Sequence, residues 1–176
     1  MKIEDIKIFS KPFYNFKDIM HGLKHIERIH KKALSISENY IDKIDMNVIN
    51  CASYFHGFIY SDEKKITDFL NSMGVSSIAI AKILQAAKES QVSAMPESLE
   101  GKIVHDAHLL EGGNNFIIVK CLVTGTARGQ TLEQTIEFIE KNVLGKGKCA
   151  LQENKQEYAK RQQYTRDFLD ELKSEL

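Results

Sequence analysis

Residues 19–33 read Ile-Met-His-Gly-Leu-Lys-His-Ile-Glu-Arg-Ile-His-Lys-Lys-Ala. Ile19, Leu23, Ile26, Ile29 and Ala33 recur at spacings of three and four, so they share one face of a helix and bury it against a core. The same helix carries His21 and His25, four residues apart and facing the same way, followed by Arg28. Two zinc-binding histidines of a metalloprotease helix have this spacing, but Gly-Leu-Lys separates them here and no glutamate base follows His21, which excludes that chemistry. His30 with Lys31 and Lys32 reads as a solvated face.

The helical period continues outward from this stretch. Val48, Ala52, Phe55 and Ile59 repeat it, with Asp45 as the N-cap. Ile66, Phe69, Leu70 and Met73 form a third helix stopped by Gly74. Ile80, Ile83, Leu84 and Ala87 form a fourth. Leu99, Ile103, Ala107 and Leu110 form a fifth, ended by Gly112 and Gly113. Residues 114–124 contain the β-branched run FIIV, which reads as a strand in isolation. No partner strand is available in a helical chain, so a buried helix is expected. Thr131 and Gln134 make a capping box before Leu132, Ile136, Ile139 and Val143. Gly145 and Gly147 mark a loop. The charged segment 151–172 carries a narrow apolar stripe of Tyr158, Thr165, Phe168, Leu169 and Leu172, as on a helix packed across the outside of a bundle.

Composition bounds the function. The chain has 176 residues, enough for one domain, with 24 basic and 24 acidic side chains. Zero net charge argues against a dedicated nucleic-acid binder. Cys51, Cys121 and Cys149 are too dispersed for a disulfide framework or a zinc knuckle and read as reduced thiols, which suggests a cytoplasmic protein. No signal peptide is expected, and the longest apolar run, 116–123, is interrupted by Lys120 and too short to span a membrane.

Three stretches concentrate histidine and acid on apolar helices: His21–Arg28, Ser53-Tyr-Phe-His56-Gly57, and Lys102-Ile-Val-His-Asp106-Ala-His108. Imidazole with carboxylate is a ligand set for borderline divalent metals. A histidine on an apolar helix is by itself more often a core residue than a ligand, so the weight falls on the combination. Three helices meeting in a bundle core can bring such side chains together.

In this order, HxxR, then FHG, then IVxDA, the sequence resembles the HD superfamily of metal-dependent phosphohydrolases. It most resembles the small bacterial branch that hydrolyses nucleotides and related phosphate esters. The likeness runs from about Lys17 to the end and includes DEKK at 62–65, PESLEGKIV at 96–104 and the charged ending RDFLDELKSEL. It implies an all-α, single-domain HD-type bundle over 1–176, with core motifs in 17–125 and packing helices in 130–175. It implies a metal held by His25, His56 and Asp106, the ion being manganese, iron, nickel, magnesium or zinc. Asp62 or Glu63 would act as acid or base, and Arg28, Lys64 and Lys65 would contact phosphate. Two departures stand out: the aspartate of the His-Asp doublet is Gly57, and DADxLD is DAHLLE, with His108 and Glu111 replacing acids. The first predicts weak or absent metal, which Gly57→Asp would tighten, with Asp62, Glu63 or His108 as a compensating ligand. The expected partner is a small phosphorylated molecule such as a nucleotide. The alternative is a degenerate binding module that keeps the pocket without hydrolysis.

Overall fold

The computed structural model describes residues 1–176 as nine α-helices without a strand. They are α1 (Ile3–Ser10), α2 (Leu23–Ser37), α3 (Met46–Phe55), α4 (Ile59–Ser72), α5 (Ser77–Glu89), α6 (Leu99–Leu109), α7 (Phe116–Ala127), α8 (Leu132–Asn142) and α9 (Gln152–Ser174). The caps act where the sequence puts them. The Asp45 side chain accepts from the Asn47 amide, and Thr131 and Gln134 close a capping box on α8. Gly74, Gly112, Gly113 and Gly145 take positive φ at the turns that follow helices.

Two expectations are refined. The helix read from Ile19 begins at Leu23, and Ile19 is 77 % exposed. The Asp18 carboxylate accepts from the backbone N–H groups of Met20 and His21, an alternative to helical pairing that holds 18–21 as a turn. The ambiguous FIIV run is helical, as α7, and buries Ile118, Lys120, Cys121 and Thr124.

The main core joins α2, α3, α5 and α6, where Ile26, Ile29, Ile49, Phe55, Ile83 and Ile103 are fully buried. A smaller cluster of Cys121, Ile136, Ile139 and Leu169 ties α7, α8 and α9 together. The N-terminus is anchored by aromatic stacking: Phe9 lies on Phe69 at 4.1 Å and Phe13 on Phe58 at 4.0 Å. That anchoring delivers Tyr14, on a 3₁₀ turn (Lys11–Tyr14), to the junction between α3 and α4. No helix is long and apolar enough to cross a membrane. Cys51, Cys121 and Cys149 are free and buried.

Candidate metal centre

The main core brings three imidazoles together. His25 comes from α2, His56 from the end of α3 and His108 from α6, and their nitrogens lie within 4.8 Å of one another. Each ring has its Nδ1 engaged by the protein. His25 Nδ1 donates to Glu111 Oε2 at 2.8 Å, and His108 Nδ1 donates to the Ser90 carbonyl at 3.2 Å. Ser90 Oγ gives its own proton to the Ala87 carbonyl, so His56 Nδ1 donates to Ser90 Oγ at 2.7 Å. All three Nε2 lone pairs are thereby left free. Partners of this kind orient metal-binding histidines and fix their tautomer.

Burial keeps the rings neutral. It pushes His56 down to about 3, with the neighbouring His25 and Lys120 acting in the same direction. It lowers His25 despite the Glu111 hydrogen bond, and it lowers His108 well below the ordinary histidine range. Neutral imidazole is the ligand form. Three such rings suit zinc, nickel or another borderline metal, with further positions open to water or substrate. The donor set therefore fits a divalent ion.

Glu111 is the hub behind the cluster. Its carboxylate accepts from His25, from Arg28 Nε at 2.7 Å and from Lys120 Nζ at 3.1 Å. Burial alone would raise its pKa, but the His25 hydrogen bond and the two cations hold it at about 2. Arg28 also lies over the Phe116 ring, 4.6 Å from its centre. Lys120 Nζ is 3.3 Å from His25 Nδ1.

The remaining sequence-derived candidates lie elsewhere. Asp106 is fully buried but is not one of the clustered ligands. Its oxygens accept from Ala150 N at 2.7 Å, Leu151 N at 2.9 Å and Asn154 Nδ2 at 2.9 Å, which caps the start of α9. His108, two residues on and about 200° around the helix, takes the place beside His25 and His56. His105 is turned to the carbonyls of Gln91 and Lys148. Asp62 and Lys65 pair with each other, Lys64 with Asp68 and Glu63 with Lys88, and none of these six residues lines the cavity that opens beside the cluster. Their charges are satisfied on the surface of α4, and the expected catalytic and phosphate roles find no geometry there.

Gly57 is explained by packing. A Cβ built on it would lie 2.6 Å from Tyr14 Cε1 and 2.8 Å from Tyr14 Oη. The Gly57 amide donates to Tyr14 Oη, which donates in turn to the Tyr54 carbonyl. The tyrosine fills the space an aspartate at 57 would need, so the expectation that Gly57→Asp restores a ligand is corrected.

A cavity of about 250 Å³ opens beside the cluster, between α6, α7, α8 and α9. Lys120, Arg128, Lys146 and Arg161 line it, against Glu111 as the sole carboxylate. Thr124 Oγ1 and Arg161 Nε are buried there without hydrogen-bond partners. His21 lines the same cavity with its Nδ1 held by Asp18 at 2.8 Å. No local pattern in the sequence marks Asp18 or Tyr14, and the role of Lys120 is signalled only by its place as a lone lysine inside the apolar run 116–123.

No protein-family model and no curated protein matches the sequence. Solved structures do. Bacillus subtilis YpgQ in complex with ADP superposes with a TM-score of 0.78 at 15% identity, covering 99% of this chain and 98% of that one. An HD-superfamily hydrolase from Bacillus thuringiensis gives 0.77 at 24% identity, covering 98% and 95%. A Lactobacillus plantarum protein gives 0.80 at 17% identity, again covering 98% and 95%. These likenesses span essentially whole chains, and the three-histidine bundle has the fold of the HD superfamily.

Proposed function

We propose that this protein is a metal-dependent phosphohydrolase acting on a small phosphate ester or anhydride, with His25, His56 and His108 holding the metal. The observation that carries the reading is the convergence of three neutral imidazoles, each with Nε2 free, beside a cavity lined by cations. A divalent metal bound there supplies Lewis acidity to water and to a phosphoryl oxygen. Lys120, which reaches both the cluster and the cavity, attracts the phosphate and neutralises its oxygens. Thr124 Oγ1 and Arg161 Nε offer further donors. Arg28 acts one step back, holding Glu111 so that Glu111 orients His25. His21, with Nδ1 given to Asp18, has Nε2 left to exchange a proton with a ligand in the cavity. Glu111 is too acidic and too fully engaged to serve as a base. The ADP bound to the B. subtilis neighbour supports a nucleotide as one ligand class.

A second reading, a binding module without hydrolysis, is favoured by the lack of any carboxylate among the clustered ligands. Elemental analysis of protein purified without chelators, followed by assays with p-nitrophenyl phosphate and ADP across divalent metals, separates the two. Stoichiometric metal with turnover lost in His56→Ala and His108→Ala is the expected result. Metal without turnover on any ester or anhydride leaves the binding module, and no metal uptake removes the metal-dependent reading.

A further inference from the structure

The charges around the three histidines do not suit a bare divalent ion. Every carboxylate near them is committed or excluded. Asp106 caps α9, and Tyr14 closes the space at Gly57. Glu111 lies behind His25, on the Nδ1 side, and its single charge faces two cations, Arg28 and Lys120. This group therefore carries one net positive charge before any metal arrives, and three neutral imidazoles add nothing to offset it. A divalent ion brings two more. The cavity beside it adds Arg128, Lys146 and Arg161; Arg128 faces Asp18 and Arg161 pairs with Glu157 just outside the lining, which leaves Lys146 as the cation without an acidic partner. Uncompensated charge in a buried site is strongly unfavourable. Two residues of the cavity wall also carry buried donors without acceptors: Thr124 Oγ1, on a residue only 8 % exposed, and Arg161 Nε.

Resting on the reading that the histidine cluster holds a metal, we infer that metal and a phosphate-class anion bind as a coupled pair, with Lys120 enforcing the coupling, so that each binds poorly without the other. The anion bridges two demands on one site. Toward the histidines it completes the open coordination of the ion and cancels its charge. Toward the cavity it accepts from Lys120, Thr124 and Arg161. By linkage, the factor by which the anion tightens the metal equals the factor by which the metal tightens the anion. Lys120 lies on the cavity wall with its ammonium beside Glu111 on the Nδ1 side of His25, 3.3 Å from that nitrogen, so it acts on the ion through space across the ring and on the anion from the cavity. Its ammonium repels the bare ion and attracts the anion. Phosphate released by hydrolysis would then leave together with weakened metal affinity, which makes the metal exchangeable between turnovers.

The test is binding, not turnover. Cobalt(II) is titrated calorimetrically into the chelator-stripped full chain, with and without methylphosphonate, a phosphate stand-in that cannot be hydrolysed. Visible spectra of the cobalt report its coordination in parallel. Methylphosphonate is expected to tighten cobalt about tenfold or more, within the usual range of coupling between sites, and to change the spectrum. Lys120→Met, which keeps the apolar stem, is expected to bind bare cobalt more tightly than wild type and to lose most of the coupling. Equal cobalt affinity with and without methylphosphonate overturns the inference and leaves the metal reading standing. No cobalt in either condition overturns both. Coupled binding in a protein that hydrolyses no phosphate ester upholds the inference while the hydrolytic reading fails. Should Lys120→Met not fold, the wild-type comparison decides alone.

Discussion

Gly57→Ala adds one methyl group where the structure leaves no space for it. The new Cβ falls 2.6 Å from Tyr14 Cε1 and 2.8 Å from Tyr14 Oη, distances real Cβ atoms do not show. The ring cannot swing aside freely. Its hydroxyl donates to the Tyr54 carbonyl at 2.8 Å and accepts from the Gly57 amide at 3.0 Å, and its edge meets Phe58 with ring centres 5.7 Å apart. Overpacking of this kind costs about 1–3 kcal/mol. Displacing the hydroxyl forfeits up to two hydrogen bonds at about 1 kcal/mol each. The total is about 1–5 kcal/mol, and with a urea slope of roughly 2 kcal/mol per molar the unfolding midpoint falls by about 0.5–2.5 M. Tyr14→Leu removes Cε1, Cζ and Oη together. In that background Gly57→Ala should be nearly neutral, so the double-mutant cycle shows a coupling of at least about 1 kcal/mol. Urea melts of the four proteins in chelator give the answer. An unchanged midpoint for Gly57→Ala, or the same cost in both backgrounds, would refute the claim that Tyr14 is what requires glycine. The same steric argument makes Gly57→Asp a destabilised protein rather than a better metal binder.

Three other outcomes follow from the geometry. Asp106→Ala strips the acceptor from two backbone amides and from Asn154, so it should destabilise by on the order of 3 kcal/mol and speed hydrogen exchange at Ala150 and Leu151; unchanged exchange there would contradict its role as the cap of α9. Glu111→Gln weakens the orientation of His25 and should lower cobalt affinity about 10–100-fold in calorimetry, and an unaltered affinity would show that the hub does not act through His25. In the chelated protein, His56 has an ordinary value of 6.5 when unfolded and about 3 when folded, so the unfolded state takes the proton first. Stability is therefore full above 6.5 and declines as pH falls toward 3. The loss from His56 alone is about 2 kcal/mol near pH 5, and His25 and His108 shift in the same direction. A flat urea midpoint between pH 7 and 5 would count against three buried neutral rings, since Glu111, at about 2, adds its own loss only below 4.5.

Much of this protein is legible along the chain. Apolar side chains at spacings of three and four define α2 to α6 because each of those helices buries one face, and local capping chemistry at Asp45, Gly74 and Thr131–Gln134 marks where helices begin and end. His25 and His56 stand out for the same local reason: each is a polar side chain on an apolar face. The third ligand is of another kind. Asp106 and His108 lie two residues apart on α6, about 200° around the helix, so only one of them can meet His25 and His56. Which one does depends on how α6 is rotated against α2, α3 and the start of α9, and no local pattern carries that rotation. Glu111 and Lys120 are likewise ordinary charged residues until α2, α6 and α7 enclose them, because only burial makes their pairing strong enough to orient an imidazole. Gly57 reads in sequence as a missing ligand. It is the tertiary approach of Tyr14, 43 residues away in the chain, that makes it a packing requirement.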